Sequence, residues 1–100
     1  MITLELEREP RIADVILRRD SFAVVLADGR ALVVPVTWYP RLMHGTARER
    51  KNWRLLGNGY AIEWPELDEH VSVEGLLAGR RSTESSTSIK KWLLARRKAA

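Results

Sequence analysis

Apolar residues fall in short blocks along this chain, separated by Gly, Pro, Ser and Asp. Residues 22–27 (FAVVLA) and 30–36 (RALVVPV) flank Asp28-Gly29, a dipeptide suited to a tight hairpin because both positions tolerate positive φ. This predicts pairing of 22–27 with 30–35, opposite residue numbers summing to 57, and a type I′ turn at the two central residues. Upstream, Ala13, Val15 and Leu17 alternate with Asp14 and Arg18, which adds a strand and completes a three-stranded meander. Both faces of the ribbon are apolar, with Phe22, Val24 and Leu26 on one and Ala23, Val25 and Ala27 on the other. Such a ribbon is covered on both sides, or covered on one side and used for association on the other.

Pro35 and Pro40 stop the sheet. Thr37 is expected to cap a short helix carrying Trp38, Tyr39, Leu42 and Met43, closed by Gly45 in the position after the C-cap. Thr46 and Glu49 have the spacing of a capping box and open a helix reaching about Trp53. A second hairpin follows over 54–64, turning at Asn58-Gly59, with Tyr60, Ile62 and Trp64 on one face and Ala61 and Glu63 on the other. After Pro65 an acidic loop leads to Ser72, which caps a last short helix with Glu74 in its first turn and Gly79 at its end. The segment RRSTESSTS then has no apolar side chain and reads as a linker. Capped by Ser86 or Ser88, a final helix places Ile89, Trp92, Leu93 and Arg96 on one stripe, with Lys90, Lys91, Arg97 and Lys98 mostly elsewhere. The predicted class is α+β: a small antiparallel sheet, built from the meander and the second hairpin, with short helices packed on it. Residues 1–79 form that domain, 80–88 the polar linker and 89–100 a basic amphipathic helix.

Composition narrows the function classes. One hundred residues suffice for one core without covalent staples. The absence of Cys excludes a disulfide scaffold, a thiolate zinc site and a Cys nucleophile, and fits a cytoplasmic location. No apolar run approaches the ~18 residues of a membrane span, and the N-terminus MITLELERE is acidic rather than signal-like. The formal charge of +4 is unevenly distributed. Residues 1–79 hold 10 basic and 12 acidic side chains, whereas residues 80–100 hold 7 basic and 1 acidic. A mildly acidic domain therefore carries a cationic tail.

Candidate chemistry is sparse. Glu63, Glu66, Asp68, Glu69 and Glu74 with His70 form an acidic cluster, but a divalent cation needs ligands converging at fixed distances. Acids between a proline and a capped helix serve solvation and the helix dipole, and Asp68 fits a turn or cap. His44, at an expected helix end, lacks the nucleophile and orienting acid of a catalytic set. Gly57-Asn58-Gly59 lacks the Lys-Ser/Thr of a phosphate loop. No cofactor and no metal are expected. Arg41, Arg48, Arg50, Lys51 and Arg54 surround Trp53 in a pattern of basic and aromatic residues that can meet nucleic acid, although Glu49 interrupts it.

The segments VPVTWYPRL and GYAIEWPELDEHVSVEGLLAG resemble a small bacterial family, domain-of-unknown-function family 2442. The residues that carry the likeness are Asp28, Gly29 and Arg30, then Trp38, Tyr39, Pro40, Arg41 and Leu42. Ile62, Trp64, Pro65, Leu67, Asp68, Ser72, Val73, Gly75, Leu76 and Leu77 complete it. His70 stands where the family usually has a second acid, and the likeness covers about residues 10–79. It implies a small α+β domain with an antiparallel sheet and no established activity. In some relatives the domain precedes a DNA-binding helix-turn-helix, and others look like neighbours of small toxin-like proteins.

The expected function is a non-catalytic, antitoxin-like or regulatory module that binds a protein partner or a dimer mate. Its contact stripe would be Ile89, Trp92, Leu93 and Arg96. The alternative is nucleic-acid binding through Lys90, Lys91, Arg97 and the Arg41–Arg54 stretch.

Overall fold

The computed structural model describes residues 10–99, so expectations for residues 1–9 and for Ala100 lie outside the described chain. Two three-stranded antiparallel sheets, in orders β1-β2-β3 and β4-β5-β6, share one core. The first comprises β1 (Ile12–Leu17), β2 (Ser21–Leu26) and β3 (Ala31–Pro35). A 3-10 turn over Val36–Trp38 leads to α1 (Pro40–Met43) and α2 (Ala47–Lys51). The second sheet comprises β4 (Arg54–Leu56), β5 (Ala61–Trp64) and β6 (Glu69–Ser72), with a 3-10 turn over Pro65–Leu67 between the last two. Then come α3 (Val73–Leu77) and the longest helix, α4 (Ser86–Ala99).

The α+β class and the meander agree with the sequence, but the first hairpin is shifted by one residue. Phe22 opposes Val34 and Val24 opposes Leu32, so opposite numbers sum to 56 rather than 57. Three residues, not two, make the loop: Leu26 N–H donates to Arg30 O at 2.8 Å and Gly29 N–H to Leu26 O at 3.0 Å. Gly29 has φ +97, while Asp28 keeps negative φ, as in a type I turn closed by a glycine bulge. Asp28 uses its carboxylate instead, accepting the Arg30 amide at 3.0 Å and its Nε at 2.8 Å.

The slip decides what faces in. Phe22, Val24 and Leu26 line up with Leu32 and Val34 against the core, while Val33 turns outward and is 71% exposed. In β1 a register break between Ile12 and Asp14 shifts the phase, so Ile12 is buried with Val15 whereas Ala13, expected inside, is exposed.

Four other expectations are corrected. The chain after Pro35 does not form a helix capped by Thr37; α1 begins at Pro40, whose fixed φ suits the first helical position, and Tyr39 provides no side-chain cap. Gly45 is not left-handed, yet a Cβ there would lie 2.8 Å from Leu67 Cδ1, so the position is small for packing reasons. The acidic stretch after Pro65 is not all loop. Asp68 takes the left-handed conformation (φ 50) and reverses the chain, after which Glu69–Ser72 pairs with Ala61–Trp64 as a third strand. Tyr60 sits in the turn before β5 and is exposed, away from buried Ile62 and Trp64.

The core is centred on Phe22, Trp64, Leu42 and Leu67, all without solvent exposure. Phe22 meets Trp64 edge-on, with ring centroids 5.6 Å apart, and the Trp64 indole N–H donates to Arg50 O at 2.9 Å. That bond satisfies the one polar group the ring brings into the interior. At the other end of the second hairpin, Ile12 N–H donates to Gly59 O at 2.7 Å and stitches the two sheets together.

Candidate functional site

The Trp-Tyr-Pro-Arg segment at 38–41 and the chain after α3 meet in one place. The end of α3 turns at Gly79, where the Arg80 amide donates to Gly75 O at 2.9 Å and the Gly79 amide to Leu76 O at 3.1 Å, a Schellman-type stop. The chain is then received by the 38–41 segment at successive points. The Tyr39 hydroxyl donates to Arg80 O at 2.9 Å. The Ser82 amide donates to Trp38 O at 3.0 Å, and the Arg81 guanidinium carbon lies 4.5 Å from the centroid of the Trp38 ring. Glu84 then meets Arg41 in a two-pronged pair, Nε to Oε1 at 2.8 Å and Nη2 to Oε2 at 2.6 Å. Both side chains are largely covered, with 16% and 14% of their surface exposed. Two parallel N–H···O bonds match the planar fork of an arginine to a carboxylate, and shielding from solvent strengthens them.

α4 begins at Ser86. The Ser88 amide donates to Ser85 Oγ at 3.1 Å, so Ser85 caps the helix, ahead of Ser86 and Ser88. The Ser88 hydroxyl donates to Glu84 at 2.5 Å, which ties the helix start to the same carboxylate. Further along, Trp92 packs against the edge of the core, with guanidinium carbons of Arg41 and Arg96 at 5.1 and 4.6 Å from its ring centroid. Arg96 closes a second two-pronged pair with Glu49, at 2.8 and 3.1 Å. Glu49 is positioned by the capping box of α2, in which it accepts the Thr46 amide at 2.9 Å and its own amide donates to Thr46 Oγ1 at 3.1 Å.

The electrostatics follow from these pairs. Hydrogen bonding to Arg96 is the main cause that holds the Glu49 carboxyl down at about 2. Arg41 holds Glu84 below the ordinary carboxylate range, with Ser88 assisting. Nearby, burial pushes Glu69 up, and burial also raises the Tyr39 hydroxyl. A cleft of about 530 Å³ opens beside the Arg41–Glu84 pair, between Glu69, Ser72 and Gly75 on one wall and the 80–84 segment on the other.

The structure places the candidate residues unequally. Ile89, Trp92, Leu93 and Arg96 do lie on one half-covered stripe of α4, and Trp92 and Arg96 are engaged by the chain's own domain. Four members of the basic stretch have partners within the domain. Arg41 is held by Glu84 and Asp68, Arg48 lies 3.8 Å from Glu66, and Arg54 donates to Glu63 at 2.6 Å. Arg50 donates to the carbonyls of Leu42, Met43 and Arg19 at 2.7, 2.7 and 3.0 Å, so it caps α1 rather than facing a ligand. Only Lys51 of that group is exposed without an acidic partner among the described residues. In the acidic cluster Glu63, Glu66 and Asp68 pair with Arg54, Arg48 and Arg41, and among the described residues no three His, Asp or Glu side chains are arranged to hold a metal.

Most family-motif residues build the scaffold. Tyr39, Ile62, Trp64, Leu67 and Leu76 are buried, Pro40 and Pro65 open a helix and a 3-10 turn, and Asp28, Gly29 and Asp68 shape turns. The Gly75 amide donates to Ser72 Oγ at 3.0 Å, completing the cap of α3. Glu84 and Glu49 were not singled out as site residues in the sequence. An isolated acid amid seven tail cations was the available signal for Glu84; a capping-box role concealed the second role of Glu49.

No helix among the described residues is long and apolar enough to cross a membrane. No curated protein matches the chain. Two solved structures do. One is a protein of unknown function from Rhodospirillum rubrum, 29% identical, with a TM-score of 0.69, covering 77% of this chain and 95% of its own. The other is an uncharacterized protein from Chromobacterium violaceum, 23% identical, with a TM-score of 0.66 over 90% of this chain and 82% of its own, and it is alike in fold. The model of the family described as Protein of unknown function (DUF2442) matches residues 12–82, from the first strand to the segment seated on Trp38, and the chain belongs to that family.

Proposed function

We propose that this protein is a non-catalytic interaction module, antitoxin-like or regulatory, whose C-terminal helix presents a binding face to a protein partner. The observation that carries this reading is the state of α4. It has 14 residues and none is buried, so it is held at the core's edge by Trp92, by the Arg96–Glu49 pair and by the Ser88 bond to Glu84. A helix of that length gains little stability by itself in water. Its outer side shows Leu94, 51% exposed, beside Leu93 and the stems of Lys90 and Arg97 around a shallow hollow of about 300 Å³. Lys90, Lys91, Arg97 and Lys98 have no acidic partner among the described residues and would steer the helix toward an acidic surface.

The test is parallel affinity purification of the intact chain and its Leu94→Ser variant from the native cells. A partner retained by the first and lost by the second supports the reading; identical partner sets sink it. Nucleic-acid binding is the competing reading, carried chiefly by the tail, since Arg41 and Arg50 are engaged within the domain and Arg48 and Arg54 lie beside acids. It would appear as duplex binding that falls steeply between about 50 and 200 mM salt and disappears when Lys90, Lys91 and Arg97 are neutralised.

A further inference from the structure

Residues 80–84 lie on the Trp38–Arg41 segment as a bound peptide would. A carbonyl meets the Tyr39 hydroxyl, an amide meets the Trp38 carbonyl, a cation covers the Trp38 ring and a carboxylate fills the Arg41 fork. The receiving residues lie inside the part of the chain matched by the family model, whereas Glu84 lies two residues beyond it. Nearly the whole Rhodospirillum rubrum chain corresponds to only 77% of this one. The receptor and residues 80–82 thus belong to the common domain, and Glu84 and α4 are carried on an arm that extends past it.

We infer that the Trp38–Arg41 groove is a binding site for an extended Arg-x-x-Glu segment followed by a helix, and that a second copy of this chain supplies it by exchanging residues 81–99. This deepens the interaction reading above and rests on it. The choice of occupant follows from fit: residues 81–84 already supply the contacts to Trp38 and Arg41, so another copy's arm makes the same contacts in trans while Arg80 stays on its own domain. Exchange also needs a place to open and a small opening cost. Residues 77–81 are all exposed, and the Gly79 φ of +71 gives the turn there. Nothing on α4 is buried, so opening breaks the two ion pairs, the Ser82–Trp38 hydrogen bond, the Arg81–Trp38 contact and the packing of Trp92 on the core's edge, while every buried core residue stays in place. The unexchanged molecule already extends 55 Å along one axis against 24 and 21 Å along the others. Symmetric arm exchange is a low-cost route to dimers under those conditions.

Charge reversal of the full chain tests it. Arg41→Glu faces Glu84, and Glu84→Arg faces Arg41, so each variant repels its own arm in cis and in trans. In an equimolar mixture both crossed pairs are complementary. Sedimentation is expected to give monomers for each variant, a one-to-one dimer for the mixture, and wild-type behaviour for the double variant. Monomers throughout overturn the inference. If Arg41→Glu does not fold by circular dichroism, the Glu84→Arg chain keeps the groove intact and is titrated with a labelled peptide of residues 79–99. Saturable binding, weakened about tenfold or more by Glu84→Gln in the peptide, supports the exchange; its absence overturns it. If exchange fails while Leu94→Ser still releases a partner, the interaction reading stands alone. If exchange succeeds and no partner depends on Leu94, that broader reading falls and the arm serves the dimer.

Discussion

Glu49 serves two elements at once, closing the capping box of α2 and binding Arg96 of α4. Its carboxyl is depressed from 4.5 to about 2, so its contribution is complete above about pH 4.5 and is lost as pH falls toward about 2. A carbon-detected NMR titration should find Glu49 ionising near 2 in the wild type and close to 4.5 in Arg96→Gln; no change would remove the pair from the account. Gly59 makes a second single-residue case. Its φ is +97 and a Cβ would lie 2.6 Å from Ile12 O, at the bond joining the two sheets. Gly29 has the same φ with open space around it. Chemical denaturation should therefore show a loss of about 1 kcal/mol for Gly29→Ala and at least twice that for Gly59→Ala.

Individual elements show why local pattern was informative in some segments and misleading in others. The Thr46–Glu49 box, legible from its three-residue spacing, and the Ser72 cap, legible from its place before the last short helix, are both present, since both depend on groups within one turn. Thr46→Ala and Ser72→Ala should each cost about 1 kcal/mol in thermal unfolding. β6 was missed because its four residues, Glu-His-Val-Ser, bury only Val71; the pairing with β5 defines it. The one-residue shift of the first hairpin was missed because Asp-Gly serves both a two-residue turn and a three-residue loop with a glycine bulge. Amide exchange should separate α4 from the sheets. Trp92→Ala should speed exchange throughout α4 and leave β2 protection unchanged, and a parallel loss in β2 would show that the helix is part of the core.

At the level of the complete chain, two small sheets that could not stand alone share one apolar cluster, and α4 lies outside it. Trp64→Ala should lower stability by about 3–5 kcal/mol, because it empties the centre of that cluster and leaves the Arg50 carbonyl without its donor. Removing residues 80–100 should leave a cooperatively unfolding domain, as judged by calorimetry; a molten product would assign the arm a structural role. The Cα radius of gyration is 14.8 Å, above the ~13 Å of an average compact 100-residue chain.

Local spacing in the sequence was enough for the α+β class, the meander, the second hairpin, both caps and the family, since each rests on neighbours in the chain or on an ordered motif. The charge division between domain and tail was readable in the same way. Which residues meet across the fold was not. Arg41 and Glu84 are 43 positions apart, and Arg96 and Glu49 are 47 apart. No periodicity links residues at such distances, and a row of arginines looks the same whether it faces solvent or an internal carboxylate. Packing around Phe22 and Trp64 decided that question. It sets Arg41 against Glu84 and seats residues 80–84 on the Trp38–Arg41 segment.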